Sequence, residues 1–270
     1  MNMSRLFSYL RYLALAAFII AAGLGLLMLW VIDRYGFQPQ DRVATPAAIT
    51  EKFEEIVFGN DFGPDSRSVY KWGASIKIVI VTPFPDRLHR DLSDILFQAR
   101  RLTGIDIRIA KKGGRNSIQV HYAPHAQFGL ILQRFYPSRT KSLDWLRSVE
   151  CFFSGIPRSH EYRRAVIGIS NELGEKESKS CIFEEIYQGL GPGKNSNALP
   201  PSISSTWDTQ TELSLNDKII LRALYDDRIT PGMSRAQAMA IAREVIARLV
   251  AAVKERGEDA LTHPRYRARP

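Results

Sequence analysis

The feature that most constrains this chain is an apolar run close to its start. From Tyr12 to Ile32 it reads YLALAAFIIAAGLGLLMLWVI, 21 positions without a charged residue. A helix needs about 20 such residues to cross the hydrocarbon of a bilayer. A run with no polar face does not suit a helix lying on a globular core. Arg5 and Arg11 precede the run, and Asp33 and Arg34 cancel behind it. That bias puts residues 1–11 in the cytoplasm and the rest of the chain outside. A cleaved signal peptide would have an apolar core of about 7–15 residues ending on small ones. Here the run continues through Leu26, Leu27, Met28, Leu29 and Trp30. The expectation is an uncleaved, single-pass signal anchor at 12–32 in the inner (cytoplasmic) membrane. The C-terminal part would then be periplasmic or extracellular.

The remainder has the composition of a folded domain. Hydrophobic residues are 45% of the 270 and charged residues 24%, which excludes a disordered or polytopic membrane chain. Two cysteines exclude a disulfide-dense scaffold and a cysteine-rich zinc module. The net charge of +9 favours anionic surfaces such as lipid headgroups or envelope polymer. An external domain argues against nucleic acid as a partner.

Residues 33–69 read as a linker with one short helix at 49–58, residues 70–255 as the compact domain, and 256–270 as a flexible tail. Ile76, Ile78 and Ile80 alternate with Lys77 and Val79, a half-buried strand. Asp86 to Leu102 has helical spacing and stops at Gly104. Strands are expected again around Ile105–Ile109 and from Ile118, the pair closing a hairpin. Ala165 to Ile169 reads as a strand. Ser234 caps a long alanine-rich helix that runs to about Lys254. The fold class is α+β, a small mixed sheet with helices.

Two segments carry the chemistry. The first reads Cys181-Ile-Phe-Glu184-Glu185-Ile-Tyr-Gln188-Gly-Leu-Gly191. Ile182, Ile186 and Leu190 give it helical spacing, which predicts a helix over 181–191 with both acids in its first turns, where the helix dipole favours them. In the zinc-protease motif H-E-x-x-H-x-x-G, two histidines bind zinc and the glutamate between them is the general base. Here Glu185 and Gly191 hold the glutamate and glycine places, and Glu184 and Gln188 stand where the histidines would be. The second segment, Leu224-Tyr-Asp-Asp-Arg-Ile-Thr-Pro-Gly-Met233, places a methionine in a tight turn before the last helix.

Together these segments resemble an uncharacterised family of bacterial envelope proteins, known as a domain of unknown function. Its marks are C-x-x-E-E-x-x-Q-x-L-G and L-Y-D-x-R-x-x-P-G-M. That family looks like a degenerate metzincin, with Met233 in the place of the Met-turn. The resemblance implies a metalloprotease-like fold over roughly Tyr70 to Arg248, with the sheet edge that pairs with extended substrate near Ala165 to Ile169. It also puts the third metal ligand at Lys194, a cation beside the neutral amide Asn195. Zinc wants histidine, cysteinate or carboxylate, so no metal or other cofactor is expected.

Cys151 and Cys181 would pair in an oxidising compartment; two buried free thiols are the alternative. His121 and His125 are four apart, but Pro124 intervenes and they need not share a face. The expected function is non-catalytic: a membrane-anchored module whose former substrate groove binds a peptide or protein partner. A residual hydrolase with Glu185 as general base is the rival reading, and a structural subunit of an envelope complex is the third.

Overall fold

The computed structural model describes residues 3–35, 42–61, 64–135, 146, 149–207 and 209–267. Parts of the expected linker (36–41 and 62–63), of the expected compact domain (136–145, 147–148 and 208) and of the expected tail (268–270) lie outside the described residues. The apolar run falls in α1 (Met3–Tyr35), one helix of 33 residues. Its described side chains, at 13 and 15–31, are exposed. Among the described residues no helix is long and apolar enough to cross a membrane, so the span expected at 12–32 is not shown.

Among the described residues five strands form one mixed sheet: β1 (Ile76–Ile80), β2 (Ile107–Ile109), β3 (Ser117–Ala123), β4 (Cys151–Arg158) and β5 (Glu161–Ser170). Their order is β2-β1-β3-β5-β4, and only β4 runs antiparallel to its neighbour. Two expectations fail here. The strands at 105–109 and 118–120 make no hairpin, because β1 lies between them, parallel to both. The strand at 165–169 is not the edge, because β5 pairs with β3 on one side and β4 on the other. The physical reason is burial: Ala165 to Ser170 is buried throughout, as a strand covered on both faces must be. Pro157 sits at a register shift in β4, a place where proline is tolerated at a sheet edge.

The helices are α2 (Pro46–Phe58), α3 (Asp86–Thr103), α4 (Phe128–Phe135), α5 (Glu175–Gly189), α6 (Leu215–Leu224), α7 (Arg235–Arg256) and α8 (Pro264–Arg267). Helices α2, α3, α5, α6 and α7 share the main core with one face of the sheet. A smaller core under the other face joins α4 to Phe152 and Val166.

The folded unit is larger than residues 70–255. Helix α2 starts on Pro46, capped by Thr45, and buries Ile49, Phe53, Ile56 and Phe58. At the other end His263 is 1% exposed, its backbone N–H bonded to Arg101 O at 2.7 Å and its Nε2 to Tyr225 O at 3.0 Å. The tail expected to be loose is therefore packed through this point.

One buried ionic cluster fixes the long connection between α5 and α6. Lys52 and Asp217 have no side-chain exposure and pair at 3.6 Å. Asp217 Oδ1 accepts from Ser202 Oγ at 2.7 Å. Its Oδ2 accepts from the N–H groups of Ile203 (3.0 Å) and Ser214 (3.1 Å) and from Ser214 Oγ (2.9 Å). Both oxygens are thus saturated, as a buried carboxylate requires. The same connection is tied to α2, through Lys194 N on Ile56 O at 3.2 Å and Ser196 Oγ on Glu55 Oε2 at 2.8 Å. That fixes where Asn195 lies.

Candidate functional site

Helix α5 begins at Glu175, six residues ahead of the expected start at 181, with Gly174 as its N-cap and Glu175 and Glu177 in the first turn. The polar stretch before Cys181 is thus helical, since its acids suit the positive end of the dipole. This moves Glu184 and Glu185 out of the first turns and toward the negative end, where the dipole gives them no support.

The end of α5 is held from two sides. Trp72 Nε1 donates to Gly189 O at 2.7 Å, and Tyr225 Oη donates to Leu190 O at 2.8 Å. These donors satisfy carbonyls that a helix end leaves open. Burial pushes the Tyr225 hydroxyl well above the ordinary phenol range, so it stays a donor. Gly191 then turns the chain at φ +132°, and a Cβ there would meet Leu224 Cδ2 at 2.6 Å and Tyr70 O at 3.1 Å. Only glycine suits that backbone and that space.

Strand β4 forms the facing wall. The Cys151–Cys181 disulfide, with a Cα–Cα distance of 5.9 Å, fastens its first residue to α5. Between the two elements lies a cleft of about 1470 Å³. Glu184, Glu185 and Gln188 line it from α5, Gly191 from the turn that follows, Cys151 to Gly155 from β4, and Asp61 and Asn195 from other loops.

The polar groups there form an incomplete network. Gln188 Nε2 donates to Glu184 Oε1 at 3.1 Å and to Asn195 Oδ1 at 2.7 Å. The Asn195 N–H donates to Asp61 Oδ2 at 2.9 Å. Burial pushes the Glu184 carboxyl up to about 7; the charges of Asp61 and Glu150 add to this, and a hydrogen bond from Asn195 opposes it. Glu185 is 3% exposed. Burial, with the Glu184 charge beside it, raises it well above the carboxylate range. Its Oε2 is buried without a hydrogen-bond partner.

This donor set does not suit zinc. Glu184 is one carboxylate, and Gln188 turns an N–H donor toward it, where a metal would need an acceptor. Lys194 points away, pairing with Glu55 at 3.8 Å. Asn195, one residue on, is the side chain that reaches Gln188.

The second motif serves as scaffold. Leu224 O accepts from Lys71 Nζ at 2.8 Å, and Tyr225 holds the end of α5. Asp226 accepts from Arg228 Nε at 3.0 Å and from Arg248 at 3.1 Å. Gly232 N and Met233 O exchange bonds with Val69. Met233 is half-buried against the main core and does not line the cleft. His125 bonds Leu146 O, and neither it nor His121 lines the cleft.

Asp61, Glu150, Arg67 and Trp207 also line the cleft, and sequence reasoning missed them. Glu150 had a signal. It precedes Cys151, and a bridge to Cys181 brings it within a turn of Glu184. Asp61 sits in a turn-rich run with nothing to aim it.

The sequence profile of a family described as a protein of unknown function, DUF2927, matches residues 46–244. The chain belongs to that family, and the match begins with α2, as the folded unit does. No curated protein matches the chain.

Proposed function

We propose that this member of the DUF2927 family is a membrane-anchored extracytoplasmic module whose cleft binds a peptide or protein partner without metal-dependent catalysis. The observation that carries the reading is the cleft itself: acids and an amide from α5 on one side, the last strand of the sheet on the other. A sheet edge beside a groove is a common receptor for extended peptide, and pairing along it needs no metal. In metzincins an edge strand likewise lies along the substrate groove. The likeness to metzincins is supported by the mixed sheet, by α5 behind β5 and by a methionine turn ahead of α7. The anchor is supported by the uncharged run at 12–32 and the arginines before it. The disulfide supports an oxidising compartment, periplasmic or extracellular.

The test is photocrosslinking in the native membrane. A crosslinker at Ser180 or Thr206, both lining the cleft, is expected to give partner adducts that one at Lys111 does not. The same adducts from all three positions would overturn the reading. Elemental analysis is expected to find no stoichiometric zinc.

One observation favours a second reading, a residual hydrolase. Glu184 is held near 7 beside a buried Glu185, and a carboxyl poised near neutral pH suits proton transfer. Cleavage of a peptide pool that Glu185→Gln abolishes would put that reading first.

A further inference from the structure

The cleft has a charge opposite to that of the protein. The chain carries a net charge of +9. Among the described residues that line the cleft, the acidic ones are Asp61, Asp65, Glu150, Glu177, Glu184 and Glu185, and the basic one is Arg67. Of the cations nearby, Lys194 is engaged with Glu55 at 3.8 Å, and Arg235 with Glu54 at 2.9 Å; Arg235 also comes within 4.0 Å of Asp65, one of the cleft's acids. Among the described residues no basic side chain pairs with Glu184 or Glu185.

A buried acid beside a half-buried one, with no counter-charge, is costly to ionise. The buried, unpartnered Oε2 of Glu185 is a second observation, independent of the charge count. Native proteins leave few such atoms, and each asks for a cause. A ligand that supplies the missing donor is a direct one.

We propose that the bound segment places a cationic side chain, a lysine ammonium or an arginine guanidinium, against Glu184 and Glu185. This rests on the cleft being the partner site. An organic cation suits the site better than a metal ion. It brings N–H donors to carboxylate oxygens, and Gln188 and Asn195 need not turn. A hard divalent ion would want six to eight oxygens. Among the described residues no group of three His, Cys, Asp or Glu is placed to hold one. At the rim, Trp207 is 65% exposed, and an indole face is a good neighbour for a cation.

Binding carries a proton change. The groups facing Glu184 are Glu185 and Gln188 on α5, Asp61 after α2, Glu150 before β4 and Asn195 in the loop. Burial, and after it the charges of Asp61 and Glu150, holds its proton on at low pH, and an arriving cation drives that proton off. Affinity therefore rises with pH and levels off above about 7.

The experiment uses the full chain in lipid nanodiscs. The probes are degenerate heptapeptide pools, blocked at both ends, with Lys, Gln or Glu fixed at the centre. Retained peptides are counted by mass spectrometry. The Lys pool is expected to be enriched about tenfold over the other two. Glu184→Gln with Glu185→Gln should abolish the preference, with cooperative thermal unfolding at no lower midpoint confirming the fold. Arg67→Ala should strengthen retention of the Lys pool. Equal retention of the Gln and Lys pools would overturn the cation site and leave the cleft reading standing. No retention of any pool would overturn both. Stoichiometric binding of Ca²⁺ or Mg²⁺ that displaces the Lys pool would overturn the proposal in favour of a metal site.

Discussion

Two acids of this protein are almost fully buried and have opposite surroundings. Asp217 at the start of α6 receives four hydrogen bonds and the charge of Lys52. Glu185 in α5 keeps one oxygen without a partner and has another acid beside it. The first arrangement stabilises: it holds the connection between α5 and α6 against α2. The second is unfavourable in the free protein and stands where the cleft opens. A carboxylate completed by its own chain belongs to the scaffold. One left incomplete beside a groove points to what the groove receives.

The contrast breaks most visibly at Asp217. Asp217→Asn sets an amide N–H₂ among donors and leaves Lys52 buried without its counter-charge. Loss of about 3–5 kcal/mol is expected, as for other broken buried pairs. Chemical denaturation measures it. A loss under about 1 kcal/mol would mean that the cluster holds nothing.

Cys181→Ser should cost slightly less. Opening a closed loop of this length is worth roughly 3–4 kcal/mol in the chain-entropy model. The loss should be accompanied by faster hydrogen exchange in β4 and the middle of α5, the two walls of the cleft. Exchange changes confined to α7 would contradict the stapling role.

Titration sharpens the comparison further. Glu184 is raised in the fold to about 7, above its unfolded value. Between those two values the folded state holds more protons than the unfolded one, so stability falls as pH rises. The contribution is present in full below the unfolded value and gone once pH passes about 7. The expected fall is up to about 3 kcal/mol, less what solvent at the cleft mouth screens. Thermal unfolding from pH 5 to 8 measures it, and Glu184→Gln should flatten the curve. An unchanged slope in that variant would assign the titration elsewhere.

Much of this arrangement was legible in the residues. The helix bearing Glu184, Glu185 and Gln188 showed in the spacing of Ile182, Ile186 and Leu190. The long last helix showed in Ser234 and the alanine-rich stretch after it. Its start aside, α5 depended on local signals, and local signals were enough. The errors came from tertiary context. An apolar strand such as Ala165–Ile169 has the same pattern at an edge or inside a sheet, and only its two neighbours decide. Pro157 was the available hint that β4 took the edge. Helix α2 looked like part of a linker because its capped, apolar-faced stretch gains its meaning from α6 and α7. The cleft's second tier, Asp61 and Trp207, could not be read, because loop side chains are aimed by the elements that anchor them. Lys194 was assigned a place at the site by counting; the bond from its backbone N–H to Ile56 O turns it outward and Asn195 inward.

The smallest expected change is the most direct test of the central claim, that Glu185 serves a ligand and not the fold. Glu185→Gln removes a carboxylate that makes no complete set of bonds and keeps its shape. At pH 8, where an unpaired buried acid is most costly, the midpoint of thermal unfolding should stay level or rise, by no more than about 1 kcal/mol equivalent. The same variant should lose its selection for the Lys-centred pool. A drop in stability matching that of Asp217→Asn would contradict the account and make Glu185 part of the scaffold.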